Sequence, residues 1–439
     1  MPKKENAIYV NDVVARGNTV RYAVNYGSEA EKYFSGEPFF VEYDRDVSSV
    51  PKGLLVIPLL ANLCPVAWVA GVDVYVDELD KGFYESLLLA QRSFGSMYPR
   101  LKFAGTLHVR RITETSDALD SIDGPDGKTG RSAAFFSGGV DSMGTFIRRR
   151  EEKPFSVTVW GADISFGQSS VWEKVKRANG QFALENGVDQ LFIKANLHGF
   201  LNEKLIAFTF GRFTHGWWPG IQHGIGMVGL LAPLSWVLGI RRLYVPSALP
   251  PKLARSFPDG SNTLIGNHIR WSGTTVQLDG EQLTRQDKVS LIADFMRSSE
   301  QPVRLRVCWM NEDYGNCGRC EKCLRTISAL LAEGVDPATA GFNADKATLE
   351  HLRRMLPVWL PSSVLTVEYW NEIRVRSIEN DEKLPAWARE FFDWFQHLDV
   401  PAFVRRRSLI WKLVDIVPHP LFLFLKRLGM NRQFKTERG

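Results

Sequence analysis

Six consecutive residues, Ser137-Gly138-Gly139-Val140-Asp141-Ser142, follow the apolar run AAFF and precede MGTFIRRR. Adjacent glycines let backbone N–H groups curve around phosphate oxygens, the two serine hydroxyls add donors, and a helix starting here turns its positive end toward the same anion. Asp141 is then available to hold Mg²⁺ bound to the phosphates. The competing reading is a tight strand-to-helix turn in which Ser and Asp act only as caps. The complete six-residue string in a strand–turn–helix setting favours the phosphate site. It is not a Walker loop, because no GxxxxGK[ST] occurs.

A second constellation is Cys308, Cys317, Cys320 and Cys323, spaced C-x8-C-x2-C-x2-C, which takes four of the chain's 5 cysteines. In a reducing compartment, four thiolates on tight CxxC turns suit tetrahedral Zn²⁺, and because sulfur fills all four positions the zinc is expected to be structural. An iron–sulfur cluster and a disulfide are the competing readings. Cys64, inside LANLCPVAW, reads as a core residue. His198, His215, His223 and His268 are scattered, and each alone reads as a satisfied polar side chain; His223 is the one to test.

These residues need elements to hold them. AAFF (133–136), VTVWGAD (157–163) and DQLFIKANL (189–197) alternate with helical patterns, which predicts a doubly wound parallel sheet of the α/β class with ligands at the carboxyl ends of its strands. Residues 1–112 hold the β-prone runs AIYV, TVRYAV, PFFVEY, LLVIPLL and VDVYV, a helix FYESLLLAQRSF and a strand TLHVRRI, and are expected to form a separate N-terminal α+β domain. The Gly- and Asp-rich segment 113–131 reads as a linker, 132–335 as the nucleotide domain with the cysteine knuckle at 308–325, and 336–439 as a helical appendage.

Hydrophobic residues make up 44% and charged residues 23% of the 439, the balance of a globular chain rather than a disordered or fibrous one. The net charge of +5 is too small to imply a nucleic-acid or membrane partner. The excess sits in residues 401–439, where nine basic residues face two acidic ones. MPKKENAIYV is not followed by an apolar run of signal-peptide length, so the expected compartment is the cytoplasm. The uncharged stretches Leu54–Val72 and Gly224–Ile240 carry prolines or glycines and read as buried strand or helix, with no membrane span. An oligomer is left open.

The string SGGVDS resembles the signature of the PP-loop ATP pyrophosphatases, which adenylate a substrate and release pyrophosphate. Followed by C-x8-CGxC-x2-C and Leu324-Arg325, it resembles QueC, the 7-cyano-7-deazaguanine synthase family of queuosine biosynthesis, over roughly residues 132–335. Phe166-Gly167-Gln168 with Glu173 is similar to the family's YGQ-x4-E, and Leu283 to Val289 to its T-K-x-E-I-V helix start. The chain departs from the family at Ser169-Ser170 (Arg-His there), at Gln222-His223 (Arg-Asn there) and at SFPDGSNTLIGNHIRW, where the family has DDCRPE.

The resemblance implies a PP-loop, adenine nucleotide α-hydrolase-like fold using ATP, Mg²⁺ and Zn²⁺. It implies a nucleotide site of Ser137, Gly138, Gly139, Val140, Asp141, Ser142, Asp163 and Arg285, and catalytic roles for Asp141, Ser142, Lys288 and Arg325. It further implies substrate contacts from Phe166, Gln168, Glu173, Gln222 and His223, and zinc on Cys308, Cys317, Cys320 and Cys323. Phe166, Trp217 or Trp218 could stack a deazaguanine, although core packing suits the tryptophans better. The implied reaction adenylates the carboxylate of 7-carboxy-7-deazaguanine. In the housekeeping family ammonia then gives an amide and finally a nitrile. The long extensions on either side resemble instead the QatC-like proteins of anti-phage operons, where the acyl group is implied to pass to the N-terminal amine of a partner protein from the same operon. A thiolase-type tRNA-modifying enzyme and a non-catalytic nucleotide-binding scaffold are the readings from other classes. A direct nucleic-acid partner is not expected.

Overall fold

The computed structural model describes residues 6–114, 130–214, 216–299, 303–308 and 314–403. The expected linker falls almost wholly outside these residues, as do His215 and the helix read at RRRSLIWKLVDIV. The chain divides into two compact units, with the break between Gln282 and Leu283.

The first unit is an α/β structure around one 11-stranded sheet: β1 (Ala7–Arg16), β2 (Thr19–Tyr26), β3 (Phe40–Tyr43), β4 (Asp73–Asp80), β5 (Leu107–Thr113), β6 (Arg131–Phe135), β7 (Phe155–Trp160), β8 (Gln190–Ala195), β9 (Ile240–Pro246), β10 (Arg270–Trp271) and β11 (Thr274–Asp279). Their spatial order is β10-β11-β9-β6-β7-β8-β3-β2-β1-β4-β5. Strands β11, β9, β6, β7 and β8 run parallel to one another, as the strand–helix alternation predicts.

The expected separate N-terminal domain is not what forms. β3 pairs antiparallel with β8, setting Val41 opposite Ala195 and Tyr43 opposite Ile193, so the N-terminal strands extend the same sheet. The reason is physical. β8 would otherwise be an apolar edge strand with a row of unpaired backbone groups, and β3 covers it while burying Val41 and Tyr43. Side chains cross the join as well: the Tyr43 hydroxyl donates to the Leu230 carbonyl at 2.9 Å and the Tyr98 hydroxyl to that of Gly220 at 2.7 Å. The core is correspondingly continuous from Ile8 to Leu278.

A second difference is LLVIPLL, expected as a strand. It lies in two helical segments, Lys52–Leu55 and α1 (Ile57–Ala70). Pro58 stands in the first turn of α1, where its missing N–H costs nothing, and Gly71 closes the helix at φ +69. The expected helix at 83–94 is observed as α2 (Lys81–Met97), capped by Asp80. One helical stretch, Trp218–Leu238, is long and apolar enough by composition to cross a bilayer, and 72% of its most apolar window is buried inside the protein.

The loop of interest is carried by β6 and α3 (Val140–Arg149), whose Val140, Met143, Phe146 and Ile147 face the core. The far end of α3 is pinned by a buried carboxylate: Asp279 receives Arg149 at 2.7 Å and Arg148 at 3.2 Å. Arg149 also lies over the Tyr244 ring at 4.4 Å, and the Tyr244 hydroxyl donates to Glu152 at 2.7 Å. Between β7 and β8 runs α4 (Ser169–Glu185).

The second unit contains α5 (Arg285–Ser298), the cysteine knuckle, α6 (Glu321–Ala332), α7 (Lys346–Trp359), α8 (Val364–Glu379) and α9 (Arg389–Gln396). Leu324, Ile327, Leu330, Trp370, Phe392 and Phe395 make its core. Helices do follow one another from Lys346 to Gln396, but no unit of their own starts at 336. The knuckle and α5 belong with it, because α6 packs on α5, α7 and α8.

Candidate functional site

β6 lies between β9 and β7. From β6 the chain moves to β7 and β8 on one side and later returns through β9 and β11 on the other, so the carboxyl end of β6 is the point at which strand order reverses. Open α/β sheets form their ligand crevice there. Ser137 to Ser142 occupy it.

The loop is tightly folded on itself. The Ser137 N–H donates to Ser142 Oγ at 3.3 Å, Ser142 Oγ donates to the Gly139 carbonyl at 3.1 Å, and the Gly139 N–H reaches Ser137 Oγ at 3.4 Å. Gly138 sits at φ +77, a left-handed conformation that costs a residue with a Cβ. Gly139 is the N-cap of α3 and brings no side-chain cap to its first turn. Ser137 is exposed, Gly139 and Asp141 are half-buried, and Val140 and Ser142 are buried. The arrangement can receive an anion at a ten-residue helix whose dipole favours it.

Next to it, after β7, come the residues expected to meet substrate. Asp163 and Glu173 are exposed. Phe166 is 36% exposed and joins an aromatic group in which Lys194 lies 5.7 Å from its ring, 5.3 Å from that of Trp160 and 5.8 Å from that of Phe40. Gln168 closes a capping box, its Oε1 accepting from the Ser165 N–H and hydroxyl at 3.2 Å each.

Gln222 and His223, adjacent in sequence, part company. Gln222 is fully buried: its Oε1 accepts from Trp217 Nε1 at 3.1 Å and its amide donates to Asn62 Oδ1 and the Leu197 carbonyl at 2.9 Å each. With both N–H groups and the oxygen engaged, it ties α1 to the loop after β8 and does not face a ligand, which corrects the expected substrate contact. Trp217 is likewise core. His223 is half-buried, and its Nδ1 lies 3.1 Å from Ser261 Oγ. The Ser261 N–H donates to Asp259 Oδ1 at 2.8 Å. Burial raises the pKa of Asp259, against the Ser261 N–H, His223 and the Ser261 side chain, which favour its ionised form.

Trp218 lies between two imidazoles, 4.4 Å from the ring of His198 and 5.2 Å from that of His223. His198 in turn bonds Glu203 Oε1 at 2.5 Å and the Ala162 carbonyl at 3.0 Å. His198 follows β8 whereas Asp259 and Ser261 follow β9, so no spacing in the sequence links them.

No family model, curated protein or solved structure matches the chain.

The cysteines come together as expected. All four sulfurs lie within 4.8 Å of one another, with Cys308 and Cys320 at 3.9 Å and Cys317 and Cys323 at 3.9 Å. Sulfurs bound at about 2.3 Å around one tetrahedral zinc stand about 3.8 Å apart, whereas a disulfide needs about 2 Å. Gly318, at φ +68, makes the turn that lets the Arg319 and Cys320 N–H groups donate to Cys317 Sγ at 3.4 and 3.3 Å. Asn316 braces the segment before Cys308, accepting from the Val307 N–H at 3.1 Å and donating to the Leu305 carbonyl at 2.8 Å. The Cys320 thiol is held down to about 5, first by the hydrogen bond from Cys323. Cys64 is fully buried, its thiol pushed up by desolvation.

Arg285, Lys288 and Arg325 belong to the second unit. Arg285 and Arg325 lie over the Tyr369 ring at 5.6 and 4.4 Å, Arg325 also meets Glu321 at 3.4 Å, and Lys288 is buried. The N-terminus of α5 is already served: Thr284 and Asp287 form a capping box, and Glu372 from α8 accepts the Arg285 and Gln286 N–H groups at 3.1 and 3.4 Å. The Glu372 carboxyl is pushed up to about 7, first by burial, with Glu368 and Asp287 adding repulsion against the two backbone donors. Its other oxygen, Oε1, is buried without a partner among the described residues. A carboxylate thus already holds the α5 N-terminus, which leaves α3 as the better seat for a phosphate.

Proposed function

We propose that the chain is a QueC-like PP-loop enzyme that uses ATP to adenylate the carboxylate of 7-carboxy-7-deazaguanine and passes the acyl group to an amine, the N-terminus of a partner protein in an anti-phage system. The observation that carries this reading is SGGVDS standing at the carboxyl end of β6, at the strand-order reversal, with a glycine in the left-handed conformation and a glycine N-cap on α3.

The chemistry follows from charge. A carboxylate is a poor electrophile and becomes a good one when AMP is its leaving group. The N–H groups and hydroxyls of Ser137 to Ser142 would hold the triphosphate and stabilise charge as pyrophosphate departs. Asp141, half-buried in the first turn of α3, would hold Mg²⁺, which neutralises phosphate charge when bound. Phe166, part-exposed on the neighbouring loop, offers a face for a planar base. The four cysteines would hold zinc as a structural brace, with no open position for chemistry.

The test is the reaction itself. ATP, Mg²⁺ and 7-carboxy-7-deazaguanine should yield AMP and pyrophosphate, and Asp141→Ala should lower the rate at least about 100-fold. Absence of both AMP and pyrophosphate defeats the proposal and leaves the non-catalytic scaffold, and a fully active Asp141→Ala protein removes the role given to Asp141. The product separates the two acceptors: free nitrile made from ammonium alone supports the biosynthetic reading, whereas a mass increase on a co-expressed neighbouring protein supports conjugation.

A further inference from the structure

We infer that His223 accepts the proton of the attacking amine, with Ser261 and Asp259 as its positioning residues, an inference that rests on the acyl-transfer reading above. The argument begins with which strands supply the parts. SGGVDS follows β6, Ala162 follows β7, His198 follows β8, and Asp259 and Ser261 follow β9. These four strands are adjacent and parallel, so their following loops rise from one edge of the sheet.

A line of contacts joins those loops: the Ala162 carbonyl to His198, His198 to Trp218, Trp218 to His223, His223 to Ser261, and Ser261 to Asp259. It begins on one side of β6 and ends on the other, so His223 shares its edge with the nucleotide loop. Its place is rigidly set. A Cβ on Gly224 would stand 1.8 Å from the Gly260 carbonyl oxygen, and the Gly260 N–H donates to the Pro219 carbonyl at 2.9 Å. Only two glycines let the segment bearing His223 and the loop bearing Ser261 approach so closely.

The orientation is that of a base with an orienting group behind it. In this assignment Ser261 Oγ takes the Nδ1 proton, and the half-buried Asp259 fixes Ser261 by accepting its backbone N–H at 2.8 Å. This assigns the proton to Nδ1 and the lone pair to Nε2, which has no partner among the described residues. The other ionisable groups around this line are His198, Glu203 and Tyr98, the last close enough to Asp259 to feel its charge. In the step itself, the amine nitrogen bonds the acyl carbon, the bond from that carbon to the AMP oxygen breaks, AMP leaves with the electron pair, and the surplus N–H proton passes to His223 Nε2.

Two nucleophiles test the assignment in the full-length protein supplied with ATP, Mg²⁺ and 7-carboxy-7-deazaguanine. Hydroxylamine, unprotonated at neutral pH and strongly nucleophilic, reports the acyl adenylate; glycinamide needs a base. His223→Ala is expected to slow glycinamide transfer by 100-fold or more and hydroxamate formation by less than about 10-fold, with added imidazole restoring part of the glycinamide rate. Ser261→Ala should move the same ratio by a smaller factor. Should the alanine variant melt well below the parent, His223→Gln replaces it. Equal losses with both nucleophiles and no rescue overturn the role of His223. Parent protein that forms no hydroxamate overturns the acyl-transfer reading and the role together.

Discussion

Replacing Glu372 by Gln should stabilise the protein at pH 8 and leave it nearly unchanged at pH 4.5. The side chain is largely desolvated, faces Glu368 and Asp287, and titrates at about 7 in the fold against 4.5 for an ordinary glutamate. A carboxyl raised in this way is protonated in the native state while the unfolded chain has already ionised, so stability is full below pH 4.5 and falls as pH rises toward 7. A difference of that size corresponds to about 3 kcal/mol once both states are ionised. At about 3 °C per kcal/mol for a unit of this size, the variant should melt roughly 10 °C higher at pH 8. Gln keeps the oxygen that accepts the Arg285 and Gln286 N–H groups, so the cap is preserved while the charge is removed. The assay is the melting temperature of parent and variant every half pH unit from 4.5 to 8.5. The two curves should diverge between pH 4.5 and 7 and run parallel above; curves parallel throughout refute the argument, and a variant less stable at pH 8 shows that the ionised carboxylate is a net favourable cap for α5.

Three further outcomes are expected. Gly138→Ala must hold a Cβ at φ +77, so it should cost about 1 kcal/mol in denaturant unfolding and abolish ATP binding measured by calorimetry. The protein should hold one zinc per chain by elemental analysis; Cys317→Ser should release it, and strong chelators should lower the melting temperature. Gln222→Leu strands Asn62 Oδ1 and Trp217 Nε1 in the core and should cost about 2 kcal/mol or more in chemical denaturation.

The two motifs were legible because each is local. SGGVDS is contiguous, and three of the four cysteines lie within seven residues, so spacing alone brings their atoms near one another. The strands at 7–10, 19–24, 72–76 and 106–112 were legible from β-branched and aromatic runs. LLVIPLL was not: a proline amid Leu, Ile and Val reads as the end of a strand unless it falls in a helix's first turn, as Pro58 does. The extent of the sheet was hidden because the β3–β8 pairing is non-local and β3 has only four residues. In the line of His198, His223, Ser261 and Asp259 the two histidines follow β8 and the other two residues follow β9, so no periodicity marks it. Gln222 and His223 show the limit of carrying a motif position by position, since one turn of chain sends the first into the core and leaves the second beside Ser261.

The seam between β3 and β8 also governs how this protein can be shortened. A chain trimmed to begin at Arg131 would keep the glycine loop and every parallel strand beside it. It would also uncover β8 along Leu191, Ile193 and Ala195, all buried in the intact protein, and strand Gln222 without Asn62. Such a fragment would present a sticky border to its copies and assemble or precipitate. The first hundred residues are therefore inseparable from the fold of the rest, and insertions or fusions will be tolerated after the outermost strand β5 well before they are tolerated at that seam.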